Sequence, residues 1–294
     1  MTAPAAFADV GDVVRRFDEH DQLLDEGTAA AIYLATTLGR PLLLEGEPGV
    51  GKTAAAKTLA LVLDSPLIRL QCYEGLTASE ALYDWNYQRQ LLAIRLAEAR
   101  GTGIEESDLY TETYLIDRPI LQCVRYRGLR PPVLLIDEID RADEHFEAFL
   151  LELLAERAIT VPEIGTISAA VPPIAVLTSN RTRDLHDALK RRCLYHWIDH
   201  PKLDQVVAIV RERVPGATEA LAVQVSAAAG RLRTLDLQKS PGTAEVIDWV
   251  QALNVLGLSV LDPSTAATTL GSVLKYREDR DVAVGAGLAW VVGE

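Results

Sequence analysis

The chain has 294 residues, 49% of them hydrophobic, enough to bury the core of one large domain or two modest ones. Its 42 Asp and Glu against 29 Lys and Arg leave a formal net charge of -13. That balance disfavours DNA or RNA as the main partner, because nucleic-acid binders neutralise phosphates with basic surface. Cys72, Cys123 and Cys193 are odd in number and widely spaced. Neither a disulfide framework nor a zinc site is expected, and they read as reduced thiols of a cytoplasmic protein. The first residues carry Asp9, Asp12 and Asp18 without an apolar stretch, so no secretory signal is expected there. No run approaches the roughly 18 uncharged apolar residues of a transmembrane segment.

In chain order, the first apolar run is Pro41–Glu45, which leads into glycines and then a helix over Ala54–Leu63. Pro66–Cys72 is the second run, Pro132–Asp137 the third and Ile174–Ser179 the fourth. Near-continuous apolar strands separated by helices predict a parallel sheet covered on both faces. After the third strand, Phe146, Phe149, Leu150, Leu153 and Leu154 recur at helical spacing, with Glu144, Glu147, Glu152 and Glu156 on the remaining surface. Residues 158–167 alternate apolar and polar around Pro162 and Gly165, which predicts a small hairpin with an edge strand.

Composition shifts near His200-Pro201, and all later patterns are helical. Helices are expected over Leu203–Val214, Thr218–Leu235 and Glu245–Leu256, and from Pro263 to about Arg277. Ser240-Pro241 and Asp262-Pro263 each read as an N-cap followed by Pro at the first helical position. The fold class is therefore α/β. A nucleotide-type parallel sheet sandwiched by helices is expected over residues 1–200, with an all-helical lid over 201–294.

Four motifs carry chemistry. Gly46-Glu47-Pro48-Gly49-Val50-Gly51-Lys52-Thr53 has the G-x-x-x-x-G-K-T pattern between a strand and a helix. Backbone N–H groups of such a loop cradle the β- and γ-phosphates of a nucleoside triphosphate, and glycines supply the backbone freedom and close approach this needs. Lys52 adds a point charge on those phosphates, and Thr53 offers its hydroxyl to Mg²⁺. ATP is the expected nucleotide, touched by Glu47, Pro48, Gly49, Val50, Gly51, Lys52, Thr53 and Ala54.

The second motif is Val133–Glu138, an apolar strand ending in two acids. Buried carboxylates are costly unless paired or metal-bound. Asp137 is expected to hold Mg²⁺, directly or through water, and Glu138 to polarise the attacking water. The third is Asn180, at the tip of the fourth strand, which reads either as an orienter of the same water or as part of an ordinary turn. The fourth is Lys190-Arg191-Arg192, where an Arg either reaches a neighbouring subunit's γ-phosphate or belongs to a solvated basic turn. Tyr83, Trp85 and Tyr87 read either as a helical insertion facing a pore or client, or as aromatics packed locally.

These four motifs, in this order, resemble an AAA+ ATPase. Ile136-Asp137-Glu138-Ile139-Asp140-Arg141-Ala142 and the hairpin before Asn180 narrow the likeness to the MoxR family. Within it, Leu70–Gly75, Trp85–Gln90, Thr178–Cys193 and Lys275–Asp279 resemble the accessory ATPases of aerobic carbon monoxide dehydrogenase clusters. The resemblance implies a homo-oligomeric ring, usually a hexamer, with ATP and Mg²⁺ at subunit interfaces. It implies Asn180 as first sensor and Arg192, with Arg191, as the finger acting in trans. It also implies a chaperone-like ATPase that remodels a metalloenzyme client, a molybdenum hydroxylase, with a von Willebrand factor A protein as adaptor. The alternatives are activation of a different client enzyme and, against the charge, a nucleic-acid motor. One departure stands out. Lids of this family carry a second-sensor Arg just after a Ser-Pro, where this chain reads Ser240-Pro241-Gly242-Thr243. Arg231, Arg233 or Lys239 would have to replace it.

Overall fold

The structure is a computed structural model and describes residues 6–294, without the side chains of Ala78 and Glu152. The surface position expected for Glu152 therefore lies outside the described residues. The chain divides into two compact units. The first comprises the chain up to Glu45 together with Lys52–Trp197; the second comprises Gly46–Gly51 together with Ile198–Glu294.

The first unit opens with helices α1 (Val10–Asp18) and α2 (Glu26–Leu38). Asp9 and Asp25 cap them, each accepting from the backbone N–H three residues on. Then follow β1 (Leu42–Gly46), α3 (Lys52–Val62), β2 (Leu67–Gln71), α4 (Ala78–Leu82), β3 (Tyr83–Trp85), α5 (Tyr87–Arg100), α6 (Glu106–Leu109), β4 (Leu115–Asp117) and α7 (Pro119–Arg125). Next come β5 (Val133–Asp137), α8 (Glu144–Glu156), β6 (Ala158–Val161), β7 (Gly165–Ser168), β8 (Ile174–Ser179), α9 (Asp187–Arg192) and β9 (Leu194–Ile198).

A five-stranded sheet runs in the order β2-β5-β8-β1-β9 and is flanked by helices. The pairs β2–β5, β5–β8 and β1–β8 are parallel. All five residues of β1 and of β5 are buried, as their continuous apolar runs require. Strand β2 differs from expectation: it is an edge strand, and only Leu70 of its five residues is fully buried. An edge position leaves one side of the strand unpaired, so Arg69 and Gln71 are tolerated among its apolar residues. Leu43, Leu134, Ile136, Leu177, Phe146 and Leu150 lie in the core beneath the site. The expected hairpin is present as β6–β7, paired from Ala158↔Ser168 to Val161↔Gly165.

Of the two readings of Tyr83, Trp85 and Tyr87, local packing holds for the first two, on a strand rather than a helix: β3 pairs antiparallel with β4, and Trp85 is buried edge-on against Tyr83 and Tyr110. Only Tyr87 opens a helix, and it is exposed. Strand β9 completes the sheet, although Leu194-Tyr195-His196-Trp197-Ile198, with its central Tyr and His, does not read as a continuous apolar strand. Finally, Ser240 is not an N-cap, as the second unit shows.

That unit holds α10 (Leu203–Arg213), α11 (Glu219–Leu232), α12 (Thr243–Val255), α13 (Pro263–Val273), α14 (Arg277–Ala286) and α15 (Leu288–Val292). Its core gathers Val210, Leu221, Val225, Trp249, Leu253 and Leu270. The buried indole of Trp249 donates to Thr269 Oγ1 at 2.8 Å, so its polar edge is satisfied. Asp262 caps α13 with Pro263 at the first position, as expected. Before α12 the cap is Gly242, whose N–H donates to Glu245 Oε2 at 3.0 Å, while the Pro241 carbonyl accepts from Arg233. Helix α13 stops short of the expected Arg277. Leu274 turns extended, and two more helices follow.

Candidate nucleotide site

The loop between β1 and α3 takes backbone conformations that few residues other than Gly adopt. Gly49 has φ 83° and Gly51 φ 102°. Gly242 lies against this loop: a Cβ there would sit 2.9 Å from both Gly49 Cα and the Pro48 carbonyl oxygen. Close approach of two backbones is the physical reason this position carries no side chain. On the same loop, Glu47 Oε2 meets His200 Nε2 at 2.9 Å. The half-buried Arg233 gives its Nε–H to Pro241 O at 2.7 Å. Burial lowers the Arg233 pKa, and the nearby carboxylates of Glu47 and Glu245 oppose that shift. Arg231 instead donates to the Val291 carbonyl, and Lys239 pairs with Glu245 at 3.7 Å.

In the first unit, Lys52 opens α3 and is buried. Burial lowers its pKa to about 8, opposed by the carboxylates of Asp140, Asp137, Glu138 and Glu45. Four acids thus act on one ammonium through their fields. Ala54 follows in the first turn of α3.

Asp137 ends β5 with its side chain 3% exposed. Its Oδ1 accepts from Thr53 Oγ1 at 2.8 Å and from Thr178 Oγ1 at 2.6 Å. Its Oδ2 accepts from Arg69 Nε at 3.0 Å and Nη2 at 2.6 Å. The same Thr178 hydroxyl accepts from the Glu138 N–H at 2.9 Å, fixing the turn of the chain after β5. Glu138 itself sits in the left-handed region, φ 56° and ψ 50°. For a non-Gly residue this costs on the order of 1 kcal/mol and is held only where the surroundings impose it. Its carboxylate, about one-third exposed, pairs with Arg141 Nε at 2.9 Å.

Asp140, 2% exposed, ties the end of β8 to this turn. Its carboxylate accepts from the N–H of Asn180 at 3.2 Å, the N–H of Thr182 at 2.9 Å and the hydroxyl of Thr182 at 2.7 Å. Asn180 is thereby held beside the Asp137-Glu138 turn. Glu45, buried at the end of β1, accepts from Ser179 Oγ at 3.1 Å. Arg191 and Arg192 are both exposed on α9. The Arg192 guanidinium donates to the Leu151 carbonyl, and the Arg191 carbonyl accepts from Arg40.

Thr53, Asp137, Glu138 and Asn180 are therefore gathered with Lys52 at the ends of β5 and β8. The hydrogen bonds of Arg191 and Arg192 run instead to Arg40 and to Leu151 on α8. Sequence reasoning gave no role to Arg69, Thr178, Asp140 or Glu45. The signal for Thr178 was a hydroxyl inside an apolar strand, and for Asp140 a third acid after Asp137-Glu138. Arg69 and Glu45 read as ordinary strand-end polar residues.

The oxygens of Thr53 and Asp137 fit Mg²⁺. They are hard donors 2.8 Å apart, and this ion usually takes one or two protein oxygens, with phosphate and water filling its octahedron. Among the described residues, no group of three or more His, Cys, Asp and Glu forms a metal cage. All three cysteines are buried free thiols, and burial pushes each up to about 12. Among the described residues, no helix is long and apolar enough to cross a membrane.

A family model described as AAA domain, dynein-related subfamily, matches residues 41–193, more than half of the chain and all of the site residues just described in the first unit. The chain belongs to this AAA family. It is 26% identical over 182 residues to uncharacterized proteins of Staphylococcus aureus strains USA300 and NCTC 8325, a match covering 60% of this chain and 62% of theirs. Among solved structures it is similar to a mutant of Thermotoga maritima RuvB, with TM-score 0.49 and 16% identity, covering 92% of this chain and 73% of that one. A second similar structure is the Thermotoga maritima RuvB Holliday junction branch migration motor, with TM-score 0.44 and 14% identity, covering 89% and 66%.

Proposed function

We propose that this chain is an ATP-hydrolysing AAA+ ATPase of the MoxR type. The observation that carries the reading is the meeting at 2.8 Å of Asp137 with Thr53, the last residue of a G-x-x-x-x-G-K-T loop, with Glu138 following Asp137 in the chain. The loop N–H groups and Lys52 bind the phosphates, and Thr53 with Asp137 holds Mg²⁺. The bound Mg²⁺ supplies positive charge to the phosphate oxygens during transfer. Glu138 accepts a proton from the attacking water, and Asn180 orients that water. Arg233 serves as the lid cation in place of the missing second-sensor Arg. Its place near Glu47 of the loop supports this over Arg231, which is engaged with α15, and over Lys239, which is paired with Glu245.

Residues 1–200 form the nucleotide domain in this reading and residues 201–294 the lid. The protein works as a homo-oligomeric ring, a hexamer, in the cytoplasm. Arg192, with Arg191, acts in trans on the neighbouring subunit's nucleotide, and the exposure of both on α9 supports this. Turnover remodels a metalloenzyme client, a molybdenum hydroxylase of carbon monoxide dehydrogenase type, through a von Willebrand factor A adaptor. The resemblance of Leu70–Gly75, Trp85–Gln90 and Thr178–Cys193 to the accessory ATPases of that system supports the client class. The test is capture from the native host on an ATP-trapped Glu138→Gln protein. Co-purification of a hydroxylase subunit and a von Willebrand factor A protein is expected; capture of neither, from a protein that holds ATP, would remove the maturation role. The net charge of -13 weighs against a nucleic-acid motor.

A further inference from the structure

Asp137 is the metal-binding acid in the reading above, yet in this structure its carboxylate already has four donors. Thr53 and Thr178 supply two hydroxyls to Oδ1, and the Arg69 guanidinium supplies two N–H groups to Oδ2. A carboxylate only 3% exposed would be a strongly unfavourable isolated charge, and a cation in direct contact offsets that cost. Lys52 acts on Asp137 through its field, and Arg69 is the cation whose guanidinium bonds it directly.

The two partners are held very differently. Asp137 lies at the end of a central strand. Arg69 projects from the edge strand β2, in register with Leu135, and its side chain is 43% exposed. It can swing into water on its own stem without disturbing the core. Gln71, in register with Asp137 itself, already shares the Arg69 guanidinium through its side-chain oxygen and offers it a second resting place.

Mg²⁺ at Thr53 and Asp137 would put a divalent cation next to this guanidinium; the triphosphate carries the balancing negative charge on the far side of the metal, so at the shared carboxylate the two cations repel. We propose that Arg69 competes with Mg²⁺ for Asp137. It occupies the carboxylate when metal is absent, withdraws towards Gln71 and solvent when Mg²⁺ arrives with the nucleotide, and so raises the Mg²⁺ concentration the site needs. This rests on the nucleotide-site reading above and assigns Arg69 a positioning role, outside the reacting atoms.

The experiment uses the full chain and a methylanthraniloyl-ATP probe, with Mg²⁺ titrated at fixed probe and binding read by fluorescence. Arg69→Met keeps the aliphatic stem and removes the charge. It is expected to lower the half-saturating Mg²⁺ about tenfold, the effect of losing one modest competing ion pair. In chelator, the same variant is expected to melt below the parent, and Mg²⁺ with the probe is expected to recover most of the difference. A purely structural role would lower stability and leave the Mg²⁺ midpoint in place. Arg69→Lys, with charge but without the two-pronged contact, is expected to fall between, and serves if Arg69→Met does not fold. An unchanged or raised Mg²⁺ midpoint in either folded variant overturns the competition alone. Failure of the unaltered protein to bind the probe with Mg²⁺ overturns the nucleotide site and the competition together.

Discussion

Lys52 is buried among carboxylates, with its pKa brought down to about 8 by burial. An incoming triphosphate would exchange protein acids for phosphate oxygens around the same ammonium. Lys52→Ala is therefore expected to weaken ATP binding by roughly 100-fold, the size of a lost charge-assisted contact in a shielded site. A fluorescent-ATP titration checks this, and an affinity equal to the parent's would take Lys52 out of its role. Gly242 makes the complementary point about backbone. A methyl group there would press on Gly49 Cα and the Pro48 carbonyl, both parts of the phosphate loop. Gly242→Ala is expected to cost about tenfold in the same titration, with little change in helix content by circular dichroism.

At the scale of elements, the junction of β5 and β8 does most of the positioning. Asp140 holds the ends of both strands together through three hydrogen bonds to Asn180 and Thr182. Asp140→Ala leaves buried donors unpaired and is expected to cost about 1–3 kcal/mol of stability, measured by denaturant unfolding. It is also expected to lower ATP turnover, because Asn180 loses its anchor. Unchanged turnover in the folded variant would show that Asn180 is placed by something else. The strands of this junction were legible in the sequence because they are buried on both faces and read as continuous apolar runs. That Lys52, Thr53, Asp137 and Glu138 lie together could be read ahead because their motifs are contiguous and sit at strand ends. Asp140, Thr178 and Arg69 were not, because their roles arise from pairing between strands that are distant in sequence. Strand β9 and the β3–β4 ribbon were missed for a related reason: short strands with polar members carry little periodicity. Gly242 was visible only as a departure, and the close approach of the phosphate loop explains it.

At the scale of the whole molecule, the proposed function assigns binding and water activation to residues within one chain. Arg191 and Arg192, exposed on α9, make their hydrogen bonds to Arg40 and Leu151 rather than to the acids at the ends of β5 and β8. The proposed ring is what brings them to a nucleotide. Arg192→Ala is expected to keep ATP affinity within about twofold and to lose most turnover. Mixed with Lys52→Ala protein, it is expected to regain activity at interfaces that pair an intact Arg192 with an intact Lys52. No recovery in verified mixed oligomers would place the arginine's effect within its own subunit.

The central claim is that Asp137 and Glu138 divide the work, one holding the metal and the other activating water. Measuring ATP affinity and phosphate release on the same Glu138→Gln preparation tests it most directly. Glu138→Gln is expected to hold ATP within about threefold of the parent and to release phosphate roughly 10²- to 10⁴-fold more slowly, the usual contribution of a positioned base. Phosphate release at the parent rate, with binding intact, would contradict it.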